Sequence, residues 1–222
     1  MFLEIPDFLT PAEVTELRRI GDSAPFVDGR ISNPHNQTKA NLRLNDREAF
    51  QRSAQMMMTA FGRCEAFDNW AFPKTLAVPT LTKYVQGGKY GVHADAAFMP
   101  MGPDKPALRS DLSCTIFVSA PETYDGGELV IHLGTRTVTI KGAAGSAVVY
   151  PSTTLHEVRP VTRGDRLVGL TFIESRVRDP AHRDLLHELN EVAALEGLNI
   201  SWDNFTRLQR VQNGLMRMWG DG

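Results

Sequence analysis

Apolar positions recur at helical spacing twice in the first third of the chain. In FLTPAEVTELRRIG, Thr10 can cap a helix, Pro11 suits its first turn and Glu13 completes a capping box. Leu9 and Val14 are spaced for a hydrophobic staple, and Gly21 marks the expected C-terminal end. A second helix is predicted from about Asp46 to Phe61, with Phe50, Ala54, Met57, Met58 and Phe61 on one side. The stretch AQMMMTAF reads as core.

From Thr75 the period changes to that of strands. Short runs bounded by turn residues follow: TLTKYV, LSCTIFVS, GELVIHL, TRTVTI, SAVVYP and RLVGLTFIES. Without helical pattern between them, they predict an antiparallel sandwich or barrel rather than βαβ units. After about Arg178 the helical period returns. Asp179-Pro180 opens a segment with Leu185, Leu186 and Leu189 on one face, and a second segment carries Phe205, Leu208, Val211 and Leu215. Three blocks result: a helical support region at 1–74, a β core at 75–176 and a C-terminal helical region at 177–222. With no repeat or low-complexity linker, they are expected to pack as one compact unit.

Composition narrows the function classes. At 222 residues and 42% hydrophobic content the chain can bury a sizeable core. A formal net charge of -2 and the lack of a basic run give no field that would draw nucleic acid or an anionic membrane. The start, MFLEIPDFLTPAEV, lacks the basic-then-apolar pattern of a secretory signal, and no apolar run is long enough for a transmembrane helix. Two cysteines, Cys64 and Cys114, are too few for a disulfide framework or a zinc finger and read as small buried hydrophobes. A reducing, cytoplasmic setting is expected.

The candidate chemistry sits in KYVQGGKYGVHADAAF. His93 and Asp95 are two apart, so on a strand they share a face and converge on one point. Alone, such a pair is more often a solvated surface feature. Downstream, YPSTTLHEVRPVTRGDRLVGL offers His156 and, ten residues later, Arg166. Two histidines and one carboxylate on one side of an octahedral ion form the facial triad of non-haem Fe(II) oxygenases, which leaves positions open for a bidentate cosubstrate and dioxygen. A buried Arg166 could hold a carboxylate through two parallel charge-assisted hydrogen bonds; the other reading is a structural ion pair with Asp165 or Glu174. His132 is expected to face outward in phase with Glu128 and Val130. His182 and His187 are not aligned on one helical face, and His35 lies in the polar loop SNPHNQT; all four go to structure or solvent.

These residues carry a resemblance. The sequence resembles the Fe(II)/2-oxoglutarate dioxygenase superfamily, with its H-x-D … H-x9-R/K pattern on a double-stranded β-helix (jelly roll). More narrowly it is similar to the bacterial PKHD-type hydroxylases, relatives of prolyl and lysyl hydroxylases. IPDFLTPAEV, FVDGR, GGKYGVHAD, RSDLSCTIFVS, YDGGELVI, VVYPSTTLHEVRPVTRGDR and LMRMW all read like that family. The resemblance implies a mainly β fold with flanking helices: a jelly-roll core, N-terminal helices packed on it and a C-terminal helical appendage. It implies that His93, Asp95 and His156 bind Fe(2+) and that Arg166 binds the distal carboxylate of 2-oxoglutarate. Tyr84 falls where many relatives place a tyrosine near the cosubstrate; ordinary core is its other reading. The implied reaction hydroxylates an unactivated C–H bond with O2, as 2-oxoglutarate is decarboxylated to succinate and CO2, and with ascorbate as reductant. The substrate, a peptide or protein side chain or a small metabolite, is not written in the sequence, and neither is the oligomeric state.

Two readings from other classes compete. One is a non-enzymatic sensor, a cupin-like barrel that binds iron or 2-oxoglutarate; the other, a zinc hydrolase, lacks an additional general base beside the triad. One segment remains, AAFMPMGPDKPALRS at 96–110, whose three prolines and glycine exclude a central strand or helix. It carries Phe98, Met99, Met101 and Leu108, more apolar surface than a connector needs. It is expected to be a substrate lid with Phe98, Met99 and Met101 closing over the iron, against the alternative of a loop pinned to the barrel.

Overall fold

The strand Leu112–Phe117 is buried along its whole length, and its two faces go to different places. Leu112, Cys114 and Ile116 point into a cluster shared with helices, while Phe117 joins a second cluster between two sheets and Ser113 and Thr115 line a cavity. A strand covered on both faces reads as a continuous run rather than an alternation. This computed structural model describes residues 2–32 and 37–221.

Two antiparallel sheets form the jelly-roll core. The eight-stranded sheet runs in the order Leu3–Ile5, Ala147–Pro151, Leu112–Phe117, Arg166–Ser175, Thr80–Tyr84, Leu42–Leu44 and Phe26–Asp28, with Pro73–Leu76 also pairing to Arg166–Ser175. The five-stranded sheet runs Arg136–Ile140, Leu129–Leu133, His156–Val158, Lys89–His93 and Lys39–Ala40. Val148, Tyr150 and Val168 of the first meet Leu129, Ile131 and Val158 of the second in the core between them. All the strand runs read in the sequence are present. Four further strands lie before residue 45 and extend both sheets, so the N-terminal region is woven into the β core as well as covering it.

Helices cover the outer face of the larger sheet. Helix α1 (Pro11–Ser23) begins with the expected capping box: the Glu13 N–H donates to Thr10 Oγ1 at 3.3 Å and the Thr10 N–H to Glu13 Oε2 at 2.8 Å. It continues two residues beyond Gly21, whose role is packing rather than termination. A Cβ there would lie 2.3 Å from Leu167 Cδ2, so any larger residue would have to push the Leu167 side chain aside. Helix α2 (Arg47–Gly62) is capped by Asp46 and buries Ala54, Met57 and Phe61 as expected. Met58 does not join them; it is exposed, because neighbours in a helix point about 100° apart and Met57 takes the core. Helix α3 (Glu65–Ala71) was not anticipated, being too short to show a period, yet it buries Phe67 and Trp70.

The C-terminal segment is the expected pair of helices, α4 (Pro180–Glu196, capped by Asp179) and α5 (Trp202–Trp219). Leu186 is buried with Phe72 and Val177, whereas the adjacent Leu185 faces solvent, as does Val211 of α5. An isolated bridge between Val177 and Gly220 returns the chain end to the core. No described helix is long and apolar enough to cross a membrane.

Candidate functional site

His93 closes one strand, His156 opens its neighbour, and the two residues are paired in register across the five-stranded sheet. The strand ends at His93, so Asp95 lies just past it rather than within it, but its N–H donates to Ser152 O at 3.2 Å and keeps the carboxylate on the histidine side. His93 Nε2 is 3.8 Å from Asp95 Oδ1 and His156 Nε2 is 3.6 Å from Asp95 Oδ2. One ligand atom from each residue lies within 4.8 Å of the others.

Both histidines are oriented by the same local device. His93 Nδ1 is 2.8 Å from Gly91 O, and His156 Nδ1 is 2.9 Å from Thr154 O, each carbonyl two residues back. A carbonyl only accepts, so Nδ1 carries the proton and the Nε2 lone pair points inward. Burial pushes the His93 pKa down, with the neighbouring His156 adding to it, which favours the neutral imidazole a metal requires. Tyr90 stacks on His93 with ring centres 3.6 Å apart, and Tyr150 meets His156 edge-on at 5.0 Å. Two imidazole nitrogens and a carboxylate facing one point suit ferrous iron.

Serines that the sequence reading passed over hold the carboxylate. Ser113 Oγ donates to Asp95 Oδ2 at 2.6 Å, Ser152 Oγ lies 2.7 Å from Ser113 Oγ, and Ser110 Oγ donates to Ser152 Oγ at 2.9 Å. Each hydroxyl has one proton, so the row must run Ser110 to Ser152 to Ser113 to Asp95.

Arg166 is paired across its strand with Tyr84 and is 1% exposed. Its guanidinium carbon stands 5.0 Å from the Tyr84 ring centre and 5.8 Å from that of Phe117. None of its Nε, Nη1 and Nη2 atoms makes a hydrogen bond of proper geometry; the Tyr84 and Tyr124 hydroxyls stand close enough for the cation to pull on both phenols, but neither neutralises it. Glu174 pairs with Lys74 and Arg109 instead, so it is not the arginine's partner. Gly127, at φ +67°, makes room: a Cβ there would lie 3.0 Å from Arg166 Cδ, which accounts for the second glycine of YDGGELVI. A buried cation with nothing to neutralise it is costly, and a carboxylate is the group its planar fork fits. Tyr84 accepts a hydrogen bond from Asn41 Nδ2 at 3.2 Å. Burial raises its pKa against the opposing pull of Arg166, so it is a neutral phenol. Triad, Tyr84 and Arg166 all line one cavity of about 590 Å³.

The sequence profile of the 2OG-Fe(II) oxygenase superfamily matches residues 79–174. A PKHD-type hydroxylase of Sphingopyxis alaskensis is 52% identical over 206 residues, covering 93% of this chain and 94% of that protein. The chain belongs to the PKHD-type hydroxylases. They are oxygenases that use iron and 2-oxoglutarate. The fold agrees. A prolyl-4-hydroxylase of Pseudomonas putida superposes with a TM-score of 0.55 at 19% identity, over 79% of this chain and 92% of that one. HygX of Streptomyces hygroscopicus, solved with nickel, 2-oxoglutarate and hygromycin B bound, gives 0.52 at 16% identity, over 78% and 82%.

In this PKHD-type hydroxylase the loop after Asp95 is a small hairpin: Phe98–Met99 pairs with Leu108–Arg109. Proline and glycine excluded a long strand there but not a two-residue one. Met99 lines the cavity, Met101 is half-buried and Phe98 is 62% exposed. The second stem is fixed, with Leu108 buried and Arg109 held by Asp111, Asp221 and the Ser175 carbonyl.

Among the described residues, the remaining histidines stand apart from the centre. His182 stacks on Trp219 at 4.1 Å. His132 is half-buried beside Glu157, and Val130, expected to share a solvated face with it, is buried. His35 lies outside the described residues. Cys114 is buried and Cys64 half-buried. The sequence reading also missed Lys39, Asn41 and Arg43, which line the cavity from TKANLRL.

Proposed function

We propose that His93, Asp95 and His156 hold Fe(2+), that Arg166 grips the distal carboxylate of 2-oxoglutarate beside Tyr84, and that the enzyme hydroxylates a C–H bond of a substrate seated in the same cavity. One observation carries this reading: a guanidinium without a hydrogen bond of proper geometry, fully desolvated, faces the cavity that the triad lines. When bound, iron, 2-oxoglutarate and O2 supply oxidation of C–H to C–OH coupled to release of succinate and CO2, with ascorbate as the reductant that keeps iron ferrous.

The chain's own groups do the positioning. The Gly91 and Thr154 carbonyls fix the histidine tautomers, and the serine row orients Asp95 through Ser113. Tyr84 and Phe117 wall the Arg166 guanidinium from water, which strengthens its hold on an anion. Phe98, Met99 and Met101 form a lid that closes on substrate and excludes water. The setting is cytoplasmic, where a reducing medium suits ferrous iron and two free cysteines. The net charge of -2 suits neither nucleic acid nor an anionic membrane as partner.

An anaerobic titration with Fe(II) and 2-oxoglutarate, followed by O2 and measurement of succinate, tests the reading. Repeated turnover to succinate is expected. A protein that binds both and forms none would instead be a sensor.

A further inference from the structure

Lys39, Asn41 and Arg43 alternate along one extended segment and line the same cavity as the triad. The segment crosses from sheet to sheet: Lys39 pairs with Tyr90 in the smaller, and Arg43 with Thr82 in the larger. Side chains two apart share a face, so these three look into the cavity while Leu44, in the other phase, joins the core.

The row places the Lys39 ammonium close to the reaction centre, with Arg43 further along and exposed. Lys39 Nζ stands 5.3 Å from the centre of the Tyr90 ring, and that ring lies 3.6 Å from His93. Asn41, 6% exposed, gives its Nδ2 hydrogen to Tyr84, and its buried Oδ1 has no hydrogen-bond partner. Among the described residues lining the cavity, Asp95 is the one carboxylate. A dication on the triad, Asp95, dianionic 2-oxoglutarate and Arg166 together cancel in charge, which leaves the cationic character of the wall to Lys39 and Arg43. Burial, and next Arg43, lower the Lys39 pKa, while Asp95 and Asp28 oppose them; Asp28 is itself paired with Arg30, so a further anion beside Lys39 and Arg43 is favourable to both. At the mouth, Ile31 and Val78 expose 71% and 53% of their surface, an apolar rim to the same cavity.

We propose that Lys39 and Arg43 bind a carboxylate of the substrate, so that the enzyme hydroxylates an anionic molecule whose apolar part rests on Ile31, Val78 and Met99. This rests on the assignment of the triad and Arg166 made above.

Relaxation of fluorinated probes by bound Mn²⁺ tests it. The protein is loaded with Mn²⁺ and saturating 2-oxoglutarate, then titrated with 4-fluorophenylacetate or its neutral amide, and the ¹⁹F relaxation is followed. Saturable enhancement is expected for the acid, with an apparent affinity at least about tenfold above that of the amide, the effect of a charge-assisted contact. Lys39→Gln and Arg43→Gln should each weaken acid binding about tenfold, and Arg43→Lys should keep most of it. No enhancement with the acid, equal affinity for acid and amide, or unchanged acid binding in both glutamine variants would overturn the subsite. So would enhancement that fades as 2-oxoglutarate is raised, because the acid would then be sitting on Arg166. Loading with Mn²⁺ and 2-oxoglutarate is measured first: failure there falls on the function assignment, whereas normal loading without acid preference falls on the subsite alone.

Discussion

Ser113 donates to Asp95 Oδ2 at 2.6 Å from the strand facing the metal ligands, and it is the last member of a buried row of three serines. A ligating carboxylate with one oxygen fixed this way presents the other in a defined direction. Ser113→Ala removes that hold and leaves Ser152 without an acceptor for its proton. Metal affinity should fall about 10- to 100-fold, the usual consequence of losing such an outer contact. Titration with Mn²⁺ measures it; unchanged affinity would show that Asp95 needs no help from the serine row.

Arg166 makes opposite predictions with and without ligand. Arg166→Ala should weaken 2-oxoglutarate by about 2–5 kcal/mol, and Arg166→Lys should recover only part, since an ammonium lacks the two-pronged geometry. Without ligand, the wild-type guanidinium is buried without a hydrogen bond of proper geometry, so Arg166→Met should be at least as stable as wild type. Thermal unfolding with and without 2-oxoglutarate reads both effects. A ligand-free Arg166→Met protein that melts well below wild type would mean the charge is satisfied internally.

What was legible in the sequence follows from residue chemistry. His93 and Asp95 alone read as an ordinary surface pair; they stood out because His156 and Arg166 follow at the spacing of the family's H-x-D … H-x9-R/K pattern. The serine row and the Lys39–Asn41–Arg43 row did not, because serines in strands and cations in polar segments are ordinary, and their meaning lies in cross-strand neighbours. The core strands announced themselves as strand-like runs bounded by turn residues. Leu3–Ile5, Phe26–Asp28 and Leu42–Leu44 did not, since three residues hold too little pattern to show a period. Met58 and Leu185 were misplaced for one reason: each abuts an apolar neighbour, and packing chose Met57 and Leu186.

Glu13 ties the start of α1 to the end of α2, accepting from the Thr10 N–H and from the Arg63 guanidinium. The Arg63 contact is the largest cause holding its pKa below the ordinary glutamate value. A lowered folded-state pKa means stability that is present above about pH 4.3 and lost as pH falls through the folded value. Glu13→Ala should therefore cost about 1 kcal/mol at pH 7 and progressively less in acid. Urea unfolding at a series of pH values checks this. A cost that stays constant down to pH 2 would place the effect in packing rather than in the charge.

The loop after Asp95 combines a fixed stem with an exposed tip, which changes how a lid would be detected. Arg109 is held by Asp111, Asp221 and the Ser175 carbonyl, and Leu108 is buried. Trypsin should therefore leave Arg109 uncut whether or not ligands are bound. Residues 102–107 are exposed instead, and Phe98 shows 62% of its surface although Met99 beside it lines the cavity. Closure of the tip would carry Phe98 and Met101 toward the mouth and remove apolar surface from water. Amide hydrogen exchange separates the two parts. Amides of 96–107 should exchange fast in the ligand-free protein and slow at least about tenfold once Mn²⁺, 2-oxoglutarate and a substrate-site ligand are bound, as an opening equilibrium shifted by about 1.4 kcal/mol requires. Amides of 108–111 should be protected in both states. Protection of the tip that is equal with and without ligands would leave the hairpin as a pinned wall of the cavity and end the lid.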